Sequence, residues 1–465
     1  SGCHAPSPAP FCPFKGHNLN HSGWSTSVGP FDLSKAAWVW EEPNRREKAT
    51  WPGALKVFHS SPMIDGDYNV YIVSTTGWVY SIDKAGKTRW EFQTARTNPG
   101  NVAILGDAVF TIDDGGTAFG IDKNTGKELW RNKVARGAPD DTHSLVAHDG
   151  LVLTSCSPKG HDGGWGRQPS LMSEAVCALD AKDGQVRWIF DQFEHSGRKD
   201  ALTCNQLVAI VGDSAVFGDD FGALWSVAIQ DGSVRWYSEA VTSLQMMAAT
   251  QGMLPWGTTA TSVVGADNKV YHAFNYVKKH GVVRAHNVAT GGLVWERNFY
   301  GTEVNAAVAV GKLYGWGDTM AVVVGVGVNP YAISNPIDRL KYMVGLRSIS
   351  SPVVALKAGN GDPLWKFDLS YDGFCAGSYE SADATICMPD VWGTPTIGAD
   401  GTVYMNWSGG KAFAIRDANG DGVIDPKDPK EVSSYHHGFG SNGATALAPG
   451  FAVAPNCMQV VAFSS

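Results

Sequence analysis

Residues 417–428 read DANGDGVIDPKD, and their types and spacing suit a divalent cation. Asp417, Asn419, Asp421 and Asp425 occupy positions 1, 3, 5 and 9 of a calcium-binding loop, with Gly422 at position 6 for the sharp turn. Val423 offers its backbone carbonyl at position 7, and Asp428 stands at position 12, where Glu is usual. A hard cation needs a ring of oxygens on a tightly curved backbone, which this pattern supplies. Asp428 is one methylene shorter than Glu, so it weakens the grip or leaves room for a water. The same composition also makes ordinary turns in which Asp and Asn bond their own backbone. Five oxygen-bearing side chains at the ligand spacing favour the cation, and the expected role of Ca2+ is structural.

Cysteine supplies the next chemistry. The eight cysteines, at 3, 12, 156, 177, 204, 375, 387 and 457, include no Cys-x-x-Cys pair, which argues against zinc. Cys3/Cys12 and Cys375/Cys387 lie close together in Gly-, Pro- and Ser-rich stretches, where a disulfide staples loops that lack a core. The long insertion between Cys156 and Cys177 is either closed by a disulfide or open. An oxidising compartment follows, and the start at Ser1-Gly2-Cys3 reads as a mature secreted product. Asn20-His21-Ser22 and Asn406-Trp407-Ser408 are glycosylation sequons. Asp219-Asp220, inside GDDFGALW, is read as a turn in preference to an acid pair. Net charge is −8 with no run of Lys or Arg, so nucleic acid is excluded as a partner. The longest apolar stretch, 320–328, is far short of the roughly 20 residues of a membrane helix.

These residues must be positioned by a repeat. Six stretches share one plan: SIDKAGKTRW ending at Trp90, GIDKNTGKELW at Trp130, ALDAKDGQVRW at Trp188, SVAIQDGSVRW at Trp236, AHNVATGGLVW at Trp295 and ALKAGNGDPLW at Trp365. Each reads as a strand, a tight turn whose Gly takes positive φ, and a returning strand that ends on a large flat ring able to stack on the next unit. The turn at 417–428 breaks the plan and lacks the Trp. A second strand type, small or polar at its start and closing on Gly or Asp, occurs eight times: from His59, Gly100, His143, Asn205, Thr258, Asn305, Gly393 and Gly443. The eighth copy is followed by CMQVVAF and then the chain ends, while AAWVWEEP, with Trp38 and Trp40, stands unmatched near the start. The fold class is therefore all-β: a single eight-bladed β-propeller over residues 36–465, behind an N-terminal segment 1–35. N- and C-terminal strands share one blade, which leaves no free sheet edge.

The Trp-terminated copies resemble the tryptophan-docking repeat of the quinoprotein (pyrroloquinoline quinone dehydrogenase-like) propellers, and FKGHNLNHSGWSTSVGPFD resembles their opening segment. That resemblance spans nearly the whole chain and implies the fold; the same repeat serves enzymes and a non-enzymatic propeller of outer-membrane assembly. It further implies an axial pocket where pyrroloquinoline quinone lies beside a Ca2+ held by Glu and Asn, with Asp as base. Asn275, in VYHAFNY, matches the Asn ligand, although Ala273-Phe274 replaces the family's Thr-Gly. The base segment is replaced by NFYGTEVNAA, leaving Glu303 as a substitute, with Glu174 a further carboxylate of unknown position. The adjacent-cysteine ring and a haem-attachment motif are absent. His59, His143, Asn205, Asn305 and His436-His437 are expected near the starts of innermost strands, facing the axis. The expected function is a secreted, calcium-stabilised scaffold that binds another extracellular or cell-surface protein, a glycan or a second copy of itself. A quinone-dependent alcohol or polyol dehydrogenase is the alternative.

Overall fold

A computed structural model describes residues 8–43, 58, 60–96, 98, 100–135, 145–157, 175–197, 208–219, 222–239, 262–277, 280–327, 337, 349–371, 391–441 and 443–465. His59, His143, Asn205, Glu174, Asp220, Cys3, Cys204, Cys375 and Cys387 lie outside the described residues.

Eight sheets form the ring, each built on four antiparallel strands that run from innermost to outermost in chain order in blades one to seven. Blade one comprises Met63–Ile64, Val70–Val73, Trp78–Ile82 and Thr88–Gln93. Blades two to seven begin at Ala103, Val146, Ala209, Val263, Ala309 and Thr396. Blade eight is Ala446–Ala448, Phe451–Pro455 and Gln459–Ser464, completed on the outside by Trp38–Glu41 from the other end of the chain. There Trp40 pairs with Val460, as the closure argument requires.

The repeat's residue types now have physical reasons. Asp122 Oδ1 accepts the amides of Asn124 and Thr125, and Asn287 does the same for Ala289 and Thr290, so the polar turn residue holds the corner. The following Gly turns at positive φ, for example +71° at Gly126 and +73° at Gly184. Each Gly also forms the floor on which the Trp of the preceding blade lies. A Cβ on Gly126 would fall 2.8 Å from the Trp90 ring, and one on Gly184 2.4 Å from that of Trp130. The indole N–H of Trp90, Trp130, Trp188, Trp236 and Trp295 then donates to Lys123, Ala181, Ile229, Val288 and Ala358 O at 2.8–2.9 Å. Trp38 docks onto blade one in the same way, through Lys84 O and Gly86. The apolar core is accordingly a series of seams between blades. One joins Phe110 and Trp130 of blade two with Leu153 and Val176 of blade three and Phe217 and Trp225 of blade four.

Residues 12–23 run along the free edges of the innermost strands. The carbonyls of Cys12, Pro13, Leu19, Asn20, Ser22 and Gly23 accept the amides of Ile64, Ile104, Ile210, Val264, Val310 and Ile397, at 2.7–2.9 Å. Six blades thus have an inner-edge amide satisfied by one segment, and an unpaired strand edge is otherwise a liability. His17 Nε2 reaches Thr445 O and His21 Nε2 reaches Val208 O, and burial pushes both imidazoles down to about 4.

Three expectations need correction. Cys12 is a buried free thiol, so it makes no bridge to Cys3; its sulfur faces Phe14 O instead. The Cys156–Cys177 bridge does form, across paired strands of blade three, and Cys457 is also disulfide-bonded. His436 ends the outermost strand of blade seven, with His437 in the turn after it, so the pair does not begin an innermost strand. The sequon at Asn406 is closed to a glycan: its side chain is buried and donates to Gly443 O and Thr445 Oγ1. Asp219 makes the expected turn, accepting Ala223 N.

Candidate functional site

Asn275 lies near the end of Lys269–Val277, the second strand of blade five, and Glu303 lies on the link into blade six. The fold brings them together through Asn305. Asn275 Nδ2 donates to Asn305 Oδ1 at 2.7 Å, and Asn305 Nδ2 donates to Glu303 Oε2 at 3.2 Å. Asn275 Oδ1 accepts the Val304 amide at 3.0 Å. Glu303 is buried and exchanges backbone hydrogen bonds with Gly327 at 2.6 and 3.1 Å. Gly325 and Gly327 let Val391 and Trp392 pack closely on this stretch, because a Cβ on either would fall 2.6–2.7 Å from Trp392 or Val391. Between them lies a cavity of about 10 Å³ lined by Glu303, Asn305, Gly325, Gly327, Val391 and Trp392. One water fills such a space.

A tricyclic quinone needs a pocket of a few hundred Å³ and ligand oxygens free to turn to its cation. The space beside Glu303 and Asn305 is far smaller than that. Asn275 already has its oxygen on the Val304 amide and its NH2 on Asn305, so these groups hold one another in place.

The second candidate site lies at the corner between Lys411–Ile415 and Val432–His436 of blade seven. Residues Val423–Ile424 add a fifth, parallel strand to the outer edge of blade six, where Gly422 O accepts the Lys366 amide. Asp417 is fully buried, its oxygens accepting Gly420 N at 2.7 Å, Gly422 N at 3.0 Å and Trp316 Nε1 at 3.2 Å. Asn419 Oδ1 accepts Asp421 N, and Asp421 Oδ1 accepts Val423 N. Asp425 Oδ1 accepts Lys427 N, and Asp428 Oδ1 accepts Lys430 N, so both carboxylates cap the turn that follows them. Glu431, three residues past the twelve-residue template and absent from the sequence reading, turns back so that its Oε2 accepts Asp425 N at 2.8 Å. Among the described residues no three His, Cys, Asp or Glu side chains stand close enough to share one ion.

Comparison with known proteins bears on the scaffold. A family profile described as outer membrane protein assembly factor BamB matches residues 75–271. BamB of Yersinia pestis is 24% identical over 270 residues, and the match spans 57% of this chain and only 56% of that protein. The solved BamB from Moraxella catarrhalis shares the fold with a TM-score of 0.59 at 14% identity, over 88% of this chain and 96% of that one. A europium-containing methanol dehydrogenase gives 0.61 at 14% identity, over 96% and 89% of the two chains. The quinohemoprotein alcohol dehydrogenase of Comamonas testosteroni gives 0.61 at 10%, over 98% and 80%. Such distant likeness establishes architecture and leaves function to the site. With its docked tryptophans and its closed ring, this chain is a β-propeller built from the quinoprotein-like repeat.

Proposed function

We propose that this chain is an exported, calcium-stabilised scaffold that presents a rigid face to another extracellular or cell-surface protein or glycan. The observation that supports scaffold over enzyme is the mutual hydrogen bonding of Asn275, Asn305 and Val304, which ties the candidate ligand to its protein neighbours beside a space of only about 10 Å³. Disulfides at Cys156–Cys177 and Cys457 support an oxidising compartment. No helix among the described residues is long and apolar enough to cross a membrane. The face best suited to a partner is the rim of blade five. Its strands run to nine, eight and eight residues and bring Tyr276, His280 and Tyr300 together, with ring centroids 5.1 and 4.6 Å apart. Tyr300 is 77% exposed, and rigid tyrosines of this kind are preferred anchors in interfaces.

The deciding experiment adds pyrroloquinoline quinone and Ca2+ to purified protein and follows its absorption spectrum and the reduction of an artificial electron acceptor by simple alcohols. The scaffold reading expects no bound quinone spectrum and no turnover. Turnover that vanishes in Asn275→Ala and in Glu303→Gln would overturn it in favour of the dehydrogenase.

A further inference from the structure

We infer that Glu431, and not Asp428, closes the cation site of the blade-seven loop, an assignment that rests on the calcium reading of that loop. Glu431 is 1% exposed, and its Oε1 has no hydrogen-bond partner among the described residues. Its Oε2 is held by the amide of Asp425, the ninth loop residue, so the carboxylate is turned into the loop it follows. Asp417 is likewise buried, and neither carboxylate has an ion-pair partner among the described residues. The adjacent cation does not serve them: Arg416 lies over the rings of Phe31 and Tyr314, at 3.5 and 4.7 Å. Two carboxylates taken out of water without a positive charge are costly, and a bound cation is what makes such an arrangement favourable.

The rest of the loop supplies the remaining oxygens. Gly422 O points outward to Lys366 N, so alternation along the strand turns the Val423 carbonyl to the loop side. Asn419 and Asp421 are exposed and bonded only to each other and to loop amides, so their side chains turn inward at little cost. Asp417, Asn419, Asp421 and Val423 with a bidentate Glu431 give six oxygens, within the range that Ca2+ takes. Asp428 is half-buried with its Oδ1 on Lys430 N, and it lacks the buried, unpartnered oxygen that Glu431 Oε1 offers. Its backbone carbonyl meanwhile accepts Glu431 N and Val432 N, so the residue serves as the pivot that brings Glu431 round.

The test is Ca2+ calorimetry on chelator-stripped, full-length protein, with Tb3+ emission as a second readout. Trp316, 3.2 Å from the Asp417 carboxylate, is the sensitiser. Wild type is expected to bind one ion at this loop. Glu431→Gln should raise Kd by about a hundredfold or more, as loss of one partner of a buried charge pair does, and Asp428→Asn should stay within about threefold of wild type. In the metal-free state Glu431→Gln should melt no lower than wild type, because it removes an uncompensated buried charge; a merely structural Glu would give the reverse. Binding lost in Asp428→Asn and kept in Glu431→Gln overturns the assignment and leaves the calcium reading standing. Failure of wild type to bind Ca2+ or Tb3+ overturns the calcium reading itself. If Glu431→Gln does not fold, Glu431→Asp keeps the charge on a shorter arm; a Kd raised at least about tenfold supports the assignment, and an unchanged Kd overturns it.

Discussion

Adding one methyl group at Gly184 probes how the blades are fastened. An ideal Cβ there falls 2.4 Å from Cε3 and 2.6 Å from Cζ3 of Trp130. The ring cannot retreat, because it is 8% exposed and its Nε1–H donates to Ala181 O at 2.9 Å. Overpacking of this kind costs about 1–3 kcal/mol. The backbone adds about 1–2 kcal/mol, since Gly184 sits at φ +73°, where an L residue is strained. Gly184→Ala should therefore destabilise by about 2–5 kcal/mol. Trp130→Ala should cost about 3–5 kcal/mol for the lost ring. In the double variant the methyl group enters the space the indole vacated, so the steric part disappears and only the φ cost remains. The two effects should then fall short of additivity by about 1–3 kcal/mol. Urea unfolding of the four proteins, extrapolated to water, measures this. Trp130→Phe adds a control that keeps much of the area but loses the indole donor, at about 1 kcal/mol. Additivity within about 0.5 kcal/mol would refute the docking account and leave Trp130 as ordinary buried surface.

Chelator should lower the melting temperature and Ca2+ restore it, by an amount equivalent to about 2.7 kcal/mol at a hundredfold excess over Kd; identical melting in excess chelator for wild type and Asp421→Ala counts against the site. Acid should weaken the fold through His17 and His272, which burial pushes down to about 4 and about 3. Both are neutral when folded and protonate more readily when unfolded, so their contribution is complete above about pH 6.5 and is lost as pH falls towards the folded values. At pH 5 each should have cost about 2 kcal/mol. Urea midpoints at pH 7, 6 and 5 test this, and His272→Gln should flatten the slope. Removing the Cys156–Cys177 bridge, which spans 21 residues, by Cys156→Ser with Cys177→Ser leaves the Cys457 bridge in place and should cost about 3 kcal/mol if loop closure dominates; a urea midpoint equal to wild type would exclude that.

The ring was legible because its signals are local. A Gly four residues before a Trp is one turn and one returning strand, and six copies leave little choice of architecture. The turn's Asp or Asn, its Gly and its Trp each answer to neighbours within one corner or the next. What was not legible depends on contacts across the ring. Nothing in the types of residues 12–23 announces that their carbonyls will meet amides of six blades, because any residue has a carbonyl. Cys12 is a related case: its nearness to Cys3 in sequence suggests a staple, while the fold buries it in a strand bridge with Ile64. The link between Asn275 and Glu303 was open in the sequence because it runs through Asn305, which was read as a channel residue. Glu431 escaped notice since a template of fixed length ends before it, while the chain doubles back and returns it to Asp425.

The loop and the missing tryptophan of blade seven share one cause in the geometry of closure. Each docking Trp reaches the corner between the third and fourth strands of the next blade. Blade eight has no such corner, because its third strand ends at Ser464 and its fourth begins at Trp38 of the distant N-terminus. A Trp on the last strand of blade seven would find no turn carbonyl there. That seam is filled otherwise: Tyr435 packs on Phe463 with centroids 5.4 Å apart, Leu33 N donates to Ser433 Oγ at 2.8 Å, and Leu33 joins the apolar cluster of blades seven and eight. Freed from offering a Trp forward, the outer part of blade seven is also free in its corner, and the corner extends backward instead. Its strand Val423–Ile424 pairs with blade six, and Ile424 enters the same apolar cluster as Trp365, the repeat tryptophan of that blade. A cation in that loop would thus fasten blade six to blade seven where the tryptophan series ends, one blade before the strand exchange fastens blade eight.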